Sequence, residues 1–358
     1  MQMKSWTILA AITAVSVAGA VYSVSQQQSA TAQTSYDELL YPDLAGKVAD
    51  VSRLTVTAPG RNWRFQRQSD GGWTAADKFN YPADVNRIKQ AVVAVSQARI
   101  MQPKTGDPAR HARLNLRAPT DKDAKSVEIS VAAGETVLAD LITGKTRKAA
   151  TNSKPAEIYA RRAGENRSWL VSGYFDLKED AVAWLDRKLF KVERLDVFAV
   201  SFAHPNGEAT HLKRDKPGGV MTLQTVLPDG YKEDEILMTA ASRALEFLNF
   251  RDVKPAKDVD FSKATRAVYT IDSGVVVTVE TVPTGQKLDD DATYWTRFSV
   301  AFDPSARQKD EKQSVEETQA FVKEAAARVD GWAYLFTHFT AQNFIRKTEN
   351  LIEKKKAG

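Results

Sequence analysis

The sequence predicts an α+β protein: two duplicated domains of antiparallel strands with packed helices, preceded by one N-terminal transmembrane helix. Three observations predict it. A nineteen-residue apolar run, Trp6 to Val24, opens the chain. The length, 358 residues, exceeds the usual single domain and suits two. The cadence Val-x-Arg-Leu-x-Val occurs twice, in VSRLTVT from Val51 and VERLDVF from Val192, each opening a β-patterned run.

The apolar run comes first. At about 1.5 Å per residue, a helix of that length spans close to the roughly 30 Å hydrocarbon core. Its side chains Trp6, Ile8, Leu9, Ile12, Val15, Val17, Val21 and Tyr22 form the candidate anchor, with aromatic rings near both ends. Lys4 precedes it and no further cation follows before Lys47, so the N-terminus is expected inside and the body outside. A cleaved signal peptide is the rival: Ala30-Thr31-Ala32 and Ala18-Gly19-Ala20 both fit the cleavage pattern. The first lies far past the apolar run and the second cuts inside it, so the spacing favours the anchor. Residues 1–35 are thus anchor and polar tether, 36–189 a first domain, and 190–358 a second with an extra helix and a basic tail.

In the first domain, the run after Val51 leads to Asp70-Gly71-Gly72, a hairpin turn. Pro82-Ala83-Asp84 then opens a helix with Val85, Ile88, Val92 and Val95 on one face, ending before Pro103. The strand-like runs SVEISVA, TVLADLITG, EIYARRAG and RSWLVSG follow. In the second domain VFAVSFA is a strand, Gly218-Gly219 a hairpin turn, and EDEILMTAASRALEFLNF a helix. Pro255 stands where Pro103 stood, SGVVVTVE answers SVEISVA, and YWTRFSVAF answers TVLADLITG. WLVSGYFDLKEDAVAWLDRKL and YLFTHFTAQNFIRKTENLI close the two halves, each as strand, turn and amphipathic helix. The extra helix begins at Ser314, with Glu317 completing a capping box.

YPADVNRIKQAVVAV, DPARHARLNLRAP, VLADLITGK, IYARRAGENRSWLVSG and above all WLDRKL together resemble the domain of unknown function family 4340. The likeness runs from about Leu39 to Leu351 and is densest between Tyr81 and Leu195. It implies a bacterial protein with one N-terminal hydrophobic segment and a duplicated extracytoplasmic body, hence the inner membrane with the body in the periplasm. It further implies a gene neighbourhood shared with ABC transporters of the gliding-motility type. It supplies no catalytic residues.

Composition narrows the chemistry. Hydrophobic residues make up 43% and charged residues 27%, a globular balance. Fifty Lys and Arg against forty-five Asp and Glu give a net charge of +5. The one dense cluster, Lys354-Lys355-Lys356, lacks aromatics and reads as a frayed tail, so no nucleic-acid partner is expected. The absence of cysteine excludes disulfides, thiolate metal sites and a cysteine nucleophile.

Of four histidines, His111 is expected exposed beside Arg110 and Arg113. His204 and His211 flank a turn with Glu208 as the one candidate third ligand, which falls short of a recognised metal spacing. Asp289-Asp290-Asp291 lacks an EF-hand frame. No G-x-S-x-G, S-x-x-K, H-E-x-x-H or phosphate loop occurs. The expectation is no enzyme, no cofactor and no metal. Two features remain for recognition. Arg161 and Arg162 interrupt a strand, so their side chains take opposite faces. Trp332, Tyr334 and Phe336 share a strand face that is core when covered and a docking face when exposed. The expected function is a membrane-anchored binding or scaffold subunit accessory to an ABC-type permease. The alternatives are an envelope glycan- or lipid-binding protein, or an envelope hydrolase with an unrecognised site.

Overall fold

The computed structural model describes residues 37–147, 156–173, 175–177, 180–193, 196–288, 291–309 and 311–355. The anchor residues Trp6 to Tyr22 lie outside them. Among the described residues no helix is long and apolar enough to cross a membrane.

Alternating side chains build the first sheet. In β1 (Arg53–Ala58) Leu54, Val56 and Ala58 are buried while Arg53, Thr55 and Thr57 are not. The partners are β2 (Arg61–Arg67), β3 (Trp73–Ala75), β4 (Tyr81–Pro82), β5 (Arg99–Pro103), β6 (Val127–Ala133), β7 (Thr136–Arg147), β8 (Glu157–Arg162) and β9 (Ser168–Ser172). Their order is β4-β3-β2-β1-β6-β7-β8-β9-β5, and each neighbouring pair is antiparallel.

The second sheet uses β10 (Val197–Ala203), β11 (Ala209–Arg214), β12 (Met221–Leu223), β14 (Asp252–Pro255), β15 (Thr265–Ile271), β16 (Val275–Leu288), β17 (Asp291–Phe302) and β18 (Trp332–Thr337). Its order is β12-β11-β10-β15-β16-β17-β18-β14. A separate ribbon pairs β13 (Tyr231–Glu233) with β19 (Ile352–Lys354). Lys354 therefore sits in a strand, and Lys355 N donates to Gly230 O at 2.8 Å, so the expected frayed tail is tied down through Lys355.

Outward from β1 and from β10 the strands succeed one another in the same order, with β5 and β14 at the far edges. In that order β15 (TRAVYTI) takes the place of β6, and β16 that of β7. The pairing read from sequence, SGVVVTVE with SVEISVA, is one strand out of step. TRAVYTI, whose Arg266 points to the outer face, lacks the continuous apolar run that marks SGVVVTVE as a strand.

Helix α1 (Pro42–Ala45) precedes β1 and buries Leu44. Helix α2 (Val85–Ser96) is capped by Asp84, whose carboxylate accepts from Asn86 N and Arg87 N, and it buries Ile88, Ala91, Val92 and Val95. After a short turn of helix, α3 (His111–Leu114), the second half has α4 (Glu235–Ser242) and α5 (Val315–Val329). The capping box at Ser314 and Glu317 forms as the sequence requires. Helix α5 lies between β17 and β18, where the first half has only residues 163–167.

Three expected helices are shorter than their patterns. Helix α4 ends at Ser242 because the chain must deliver Phe250, fully buried, before starting β14. WLDRKL is not helical. A 3-10 turn, Ala181–Trp184, gives way to extended chain, since Trp184 O accepts from Asp84 N at 2.8 Å and Asp186 N donates to Pro82 O at 2.9 Å. Trp184, Leu185 and Leu189 are buried all the same, filling a narrow seam rather than a helix stripe. The C-terminal run is broken into α6 (His338–Ala341) and the 3-10 turns Gln342–Phe344 and Thr348–Leu351.

All strands of the first sheet precede residue 190 and all those of the second follow it. Buried side chains from both sheets nevertheless form one contiguous core. The seam is aromatic: Tyr81 meets Trp332, Phe250 and Tyr334 at ring separations of 4.9, 5.9 and 6.2 Å. At its rim Lys78 Nζ contacts Asp252 Oδ1 at 2.7 Å.

Candidate functional site

The seam between the halves ends in a surface groove of about 550 Å³. Its walls come from three segments: extended chain 187–191, the turn 246–249 that follows α4, and one face of α5. Leu189, Phe190, Phe247, Leu248, Phe321 and Ala325 supply the apolar lining. Phe247 is 60% exposed, unusual for a phenylalanine inside a folded body.

Hydrogen bonds fix each wall. Arg328 on α5 donates to Lys188 O at 3.0 Å and contacts Asp186 at 3.5 Å and Glu324 at 3.1 Å. Arg187 donates to Phe250 O at 3.3 Å and lies over the Phe250 ring at 5.9 Å. Arg243 contacts Glu246 at 2.8 Å and stacks on Phe247 at 5.6 Å. Phe190 packs edge-on against Phe298 at 5.6 Å. The lining carries four cations, Arg187, Lys188, Lys191 and Arg328, against two carboxylates, Glu246 and Glu324. Asp186 pairs with Arg328 and Glu193 with Lys191 from just outside it, so the surplus rests on Arg187 and Lys188. The groove is apolar at its floor and charged at its rim, and it brings no nucleophile and base together.

The residues singled out in sequence take other roles. Tyr334 and Phe336 are fully buried, so their strand face is core and not a docking face; Trp332 is half-buried against Tyr81. Burial pushes the Tyr81 hydroxyl up to about 12 and that of Tyr334 further still. Arg161 is buried, which removes it from surface recognition. Its guanidinium donates to Leu116 O at 2.8 Å and Glu165 O at 3.2 Å, fastening the 111–116 segment across the sheet. Burial holds its pKa below the usual arginine value. Arg162 donates to Leu40 O at 2.8 Å and lies over Tyr41 at 5.7 Å, tying the start of the described chain to β8.

His111 is buried rather than exposed, with Nε2 2.9 Å from Asn166 O. His204 is engaged at both ring nitrogens, by Arg346 O at 3.1 Å and Thr265 Oγ1 at 3.2 Å, while Glu208 pairs with Lys347 at 3.0 Å. His204, His211 and Glu208 therefore do not converge. Among the described residues no cluster of three metal-ligating side chains occurs. Asp289 and Asp290 lie outside the described residues, and Asp291 opens β17.

One pair escaped the sequence reading. Glu128 and Asp140 share the outer sheet face with Arg161, because Glu128 and Arg161 both register against Ile142. The two carboxyls lie close enough to perturb one another, and Asp140 Oδ1 is buried without a hydrogen-bond partner. Burial, reinforced by Asp140, pushes Glu128 up to about 7, and burial raises Asp140 as well. In the second half, burial with Glu311 and Asp196 beside it pushes Asp272 up to about 6. The lone carboxylate inside VLADLI was the available signal.

The pH consequence follows from these directions. Each folded pKa lies above its unfolded value, so the unfolded chain loses its proton first as pH rises. The stability contributed is complete below the ordinary carboxyl range and is lost as pH passes about 6 for Asp272 and about 7 for Glu128. Urea midpoints are expected to fall between about pH 4 and 7, and Glu128→Gln to flatten the upper part of that fall. An unchanged slope in the variant removes Glu128 as its source.

Comparison with curated proteins and with solved structures finds no match. The family model for Domain of unknown function (DUF4340) matches residues 73–273, from β3 through α4 to the turn after β15. That span exceeds half of the 358 residues and takes in Tyr81 and Phe250 of the seam and two walls of the groove, and the chain belongs to this family.

Proposed function

We propose that the chain is a membrane-anchored extracytoplasmic binding or scaffold subunit, accessory to an ABC-type transport complex. The junction groove is its docking surface. The single observation that carries this reading is that groove, apolar at its floor, with two walls tied together by Arg328 and a rim where Arg187 and Lys188 give a positive surplus. Its occupant is a short segment of the permease's extracytoplasmic domain that presents two or three apolar side chains flanked by acidic ones.

The matching strand orders support reading the halves as copies of one ancestral unit. Among the described residues helix α5 has no counterpart between β8 and β9, and it forms one wall of the groove. Binding is thus an addition to a duplicated frame. The apolar run Trp6 to Val24 would hold the body at the outer face of the inner membrane.

A mild-detergent pull-down of the tagged chain from membranes, read by mass spectrometry, tests the reading. Recovery of an ABC permease and its ATPase supports it, and a prey list without a transporter, from intact membrane-bound chain, sinks it. Phe247→Glu is expected to leave stability within about 0.5 kcal/mol of the parent while abolishing recovery of the permease. Three phenylalanines in the groove favour a second reading, an acyl chain as occupant. Lipid co-purifying with the parent and absent from Phe247→Glu would select it.

A further inference from the structure

A basic edge lies where the described chain begins. Ile100 N donates to Glu38 O at 2.8 Å and Leu39 bridges to Arg99, so residues 37–39 run beside β5. β5 is an edge strand, and it leads directly into the turn at Lys104. Six cations gather at this end of the sheet: Arg99, then Lys104 with Arg110 and Arg113, Arg167, which donates to Lys104 O at 3.5 Å, and Arg147 at the end of β7, which acts on Lys104. Three carboxylates offset them, Asp37 at 3.5 Å from Arg99, Asp107 at 3.4 Å from Arg110 and Glu157 at 2.5 Å from Arg147. The lowered pKa of Lys104, caused by burial and then by Arg147, fits a surplus of positive charge there.

We propose that this edge docks on an anionic phospholipid surface, with headgroup phosphates against Lys104, Arg110 and Arg113. These three side chains line one recess of about 580 Å³ with Thr105, Gly106, Asp107 and Leu114. Between Arg99 and Lys104 a bulge separates Ile100 from Gln102, and the intervening Met101 is 42% exposed. A bulge re-aims a side chain, and here it turns an apolar one outward among cations. Half-buried rings lie beneath the charges, Tyr159 under Lys104 at 5.9 Å and Trp169 under Arg167 at 5.9 Å. Cations over amphipathic aromatics with one apolar tip suit the headgroup layer.

Reach agrees with this, on the anchoring reading above. Twelve residues separate Val24 from Asp37, and fully extended they span at most about 40 Å. The bland competitor is that edge-strand charges only prevent strand-to-strand association. That role requires no lipid and no exposed methionine.

The test is hydrogen exchange on the full chain reconstituted in vesicles of phosphatidylcholine alone or with about 30 mol% phosphatidylglycerol. Residues 99–114 are expected to exchange about fivefold more slowly on the anionic vesicles, an effect that added salt removes. Lys104→Glu/Arg110→Glu/Arg113→Glu should abolish the difference. Lys263→Glu/Lys309→Glu/Lys323→Glu, exposed lysines of the second half, should keep it. Exchange that ignores lipid composition, in chain that resists carbonate extraction, overturns the proposal and leaves the guarding role. Release by carbonate overturns the anchoring reading instead. Flotation of the released chain then decides: migration with anionic vesicles alone upholds the basic edge, and none overturns it.

Discussion

Tyr334→Ala is expected to lower the unfolding free energy by about 4 kcal/mol, in one cooperative transition that involves both sheets. The side chain is fully buried, and its ring meets Phe250 at 5.2 Å, Phe298 at 5.9 Å and Tyr81 at 6.2 Å. Tyr81 belongs to the first sheet and the others to the second half, so the cavity opens on the seam. The hydroxyl donates to Arg328 O at 3.2 Å, and Arg328 in turn holds the groove wall through Lys188 O. Tyr334→Phe, which keeps the ring, should cost about 1 kcal/mol. Urea unfolding followed by tryptophan fluorescence and by far-UV circular dichroism provides the check, since tryptophans lie in both halves. Coincident curves with a lowered midpoint are expected. Two separated transitions, with only one displaced, would show that the halves unfold independently and that the aromatic seam does not couple them.

Gly144→Ala is expected to destabilise by about 2–3 kcal/mol and to loosen one segment selectively. A Cβ at this position in β7 collides with the backbone oxygen of Leu114, lies 2.8 Å from Asn115 O and 3.0 Å from Leu116 Cδ2. Two of these three obstacles are backbone, so no rotamer change relieves them. The same segment is held by Arg161 through Leu116 O and by His111 through Asn166 O. Amides of residues 111–116 should therefore exchange faster while those of β1 and β6 stay protected. Gly46→Ala is the matched control: nothing lies within 4 Å and its φ of −83° is open to alanine. It should be neutral or stabilising by about 0.5 kcal/mol. Equal behaviour of the two variants would refute the close approach.

The local elements were legible where one periodicity ruled one segment. RLTVTA alternates and is β1; VNRIKQAVVAV repeats at helical spacing after a capping aspartate and is α2; Ser314 and Glu317 cap α5. Legibility failed where a segment serves two neighbours. Trp184, Leu185 and Leu189 fit a helical stripe, yet pairing of their backbone with residues 82–84 makes that chain extended. Arg161 looked like a surface charge because an arginine on a strand ordinarily reaches water. The Leu116 carbonyl that accepts from it is 45 residues away and carries no mark in its own strand.

By itself the sequence determined the α+β class, the antiparallel runs, the two hairpin turns, the capped helices and the family. Local patterning suffices for these, because strand and helix periods are properties of short windows. Only the tertiary structure decided that the halves share one core through Tyr81, Phe250, Trp332 and Tyr334. It alone placed the groove between 187–191, 246–249 and α5, and set Glu128 and Asp140 on one sheet face. Each of these depends on which segments meet across long loops, and burial at such a meeting is a property of the pair, not of either sequence.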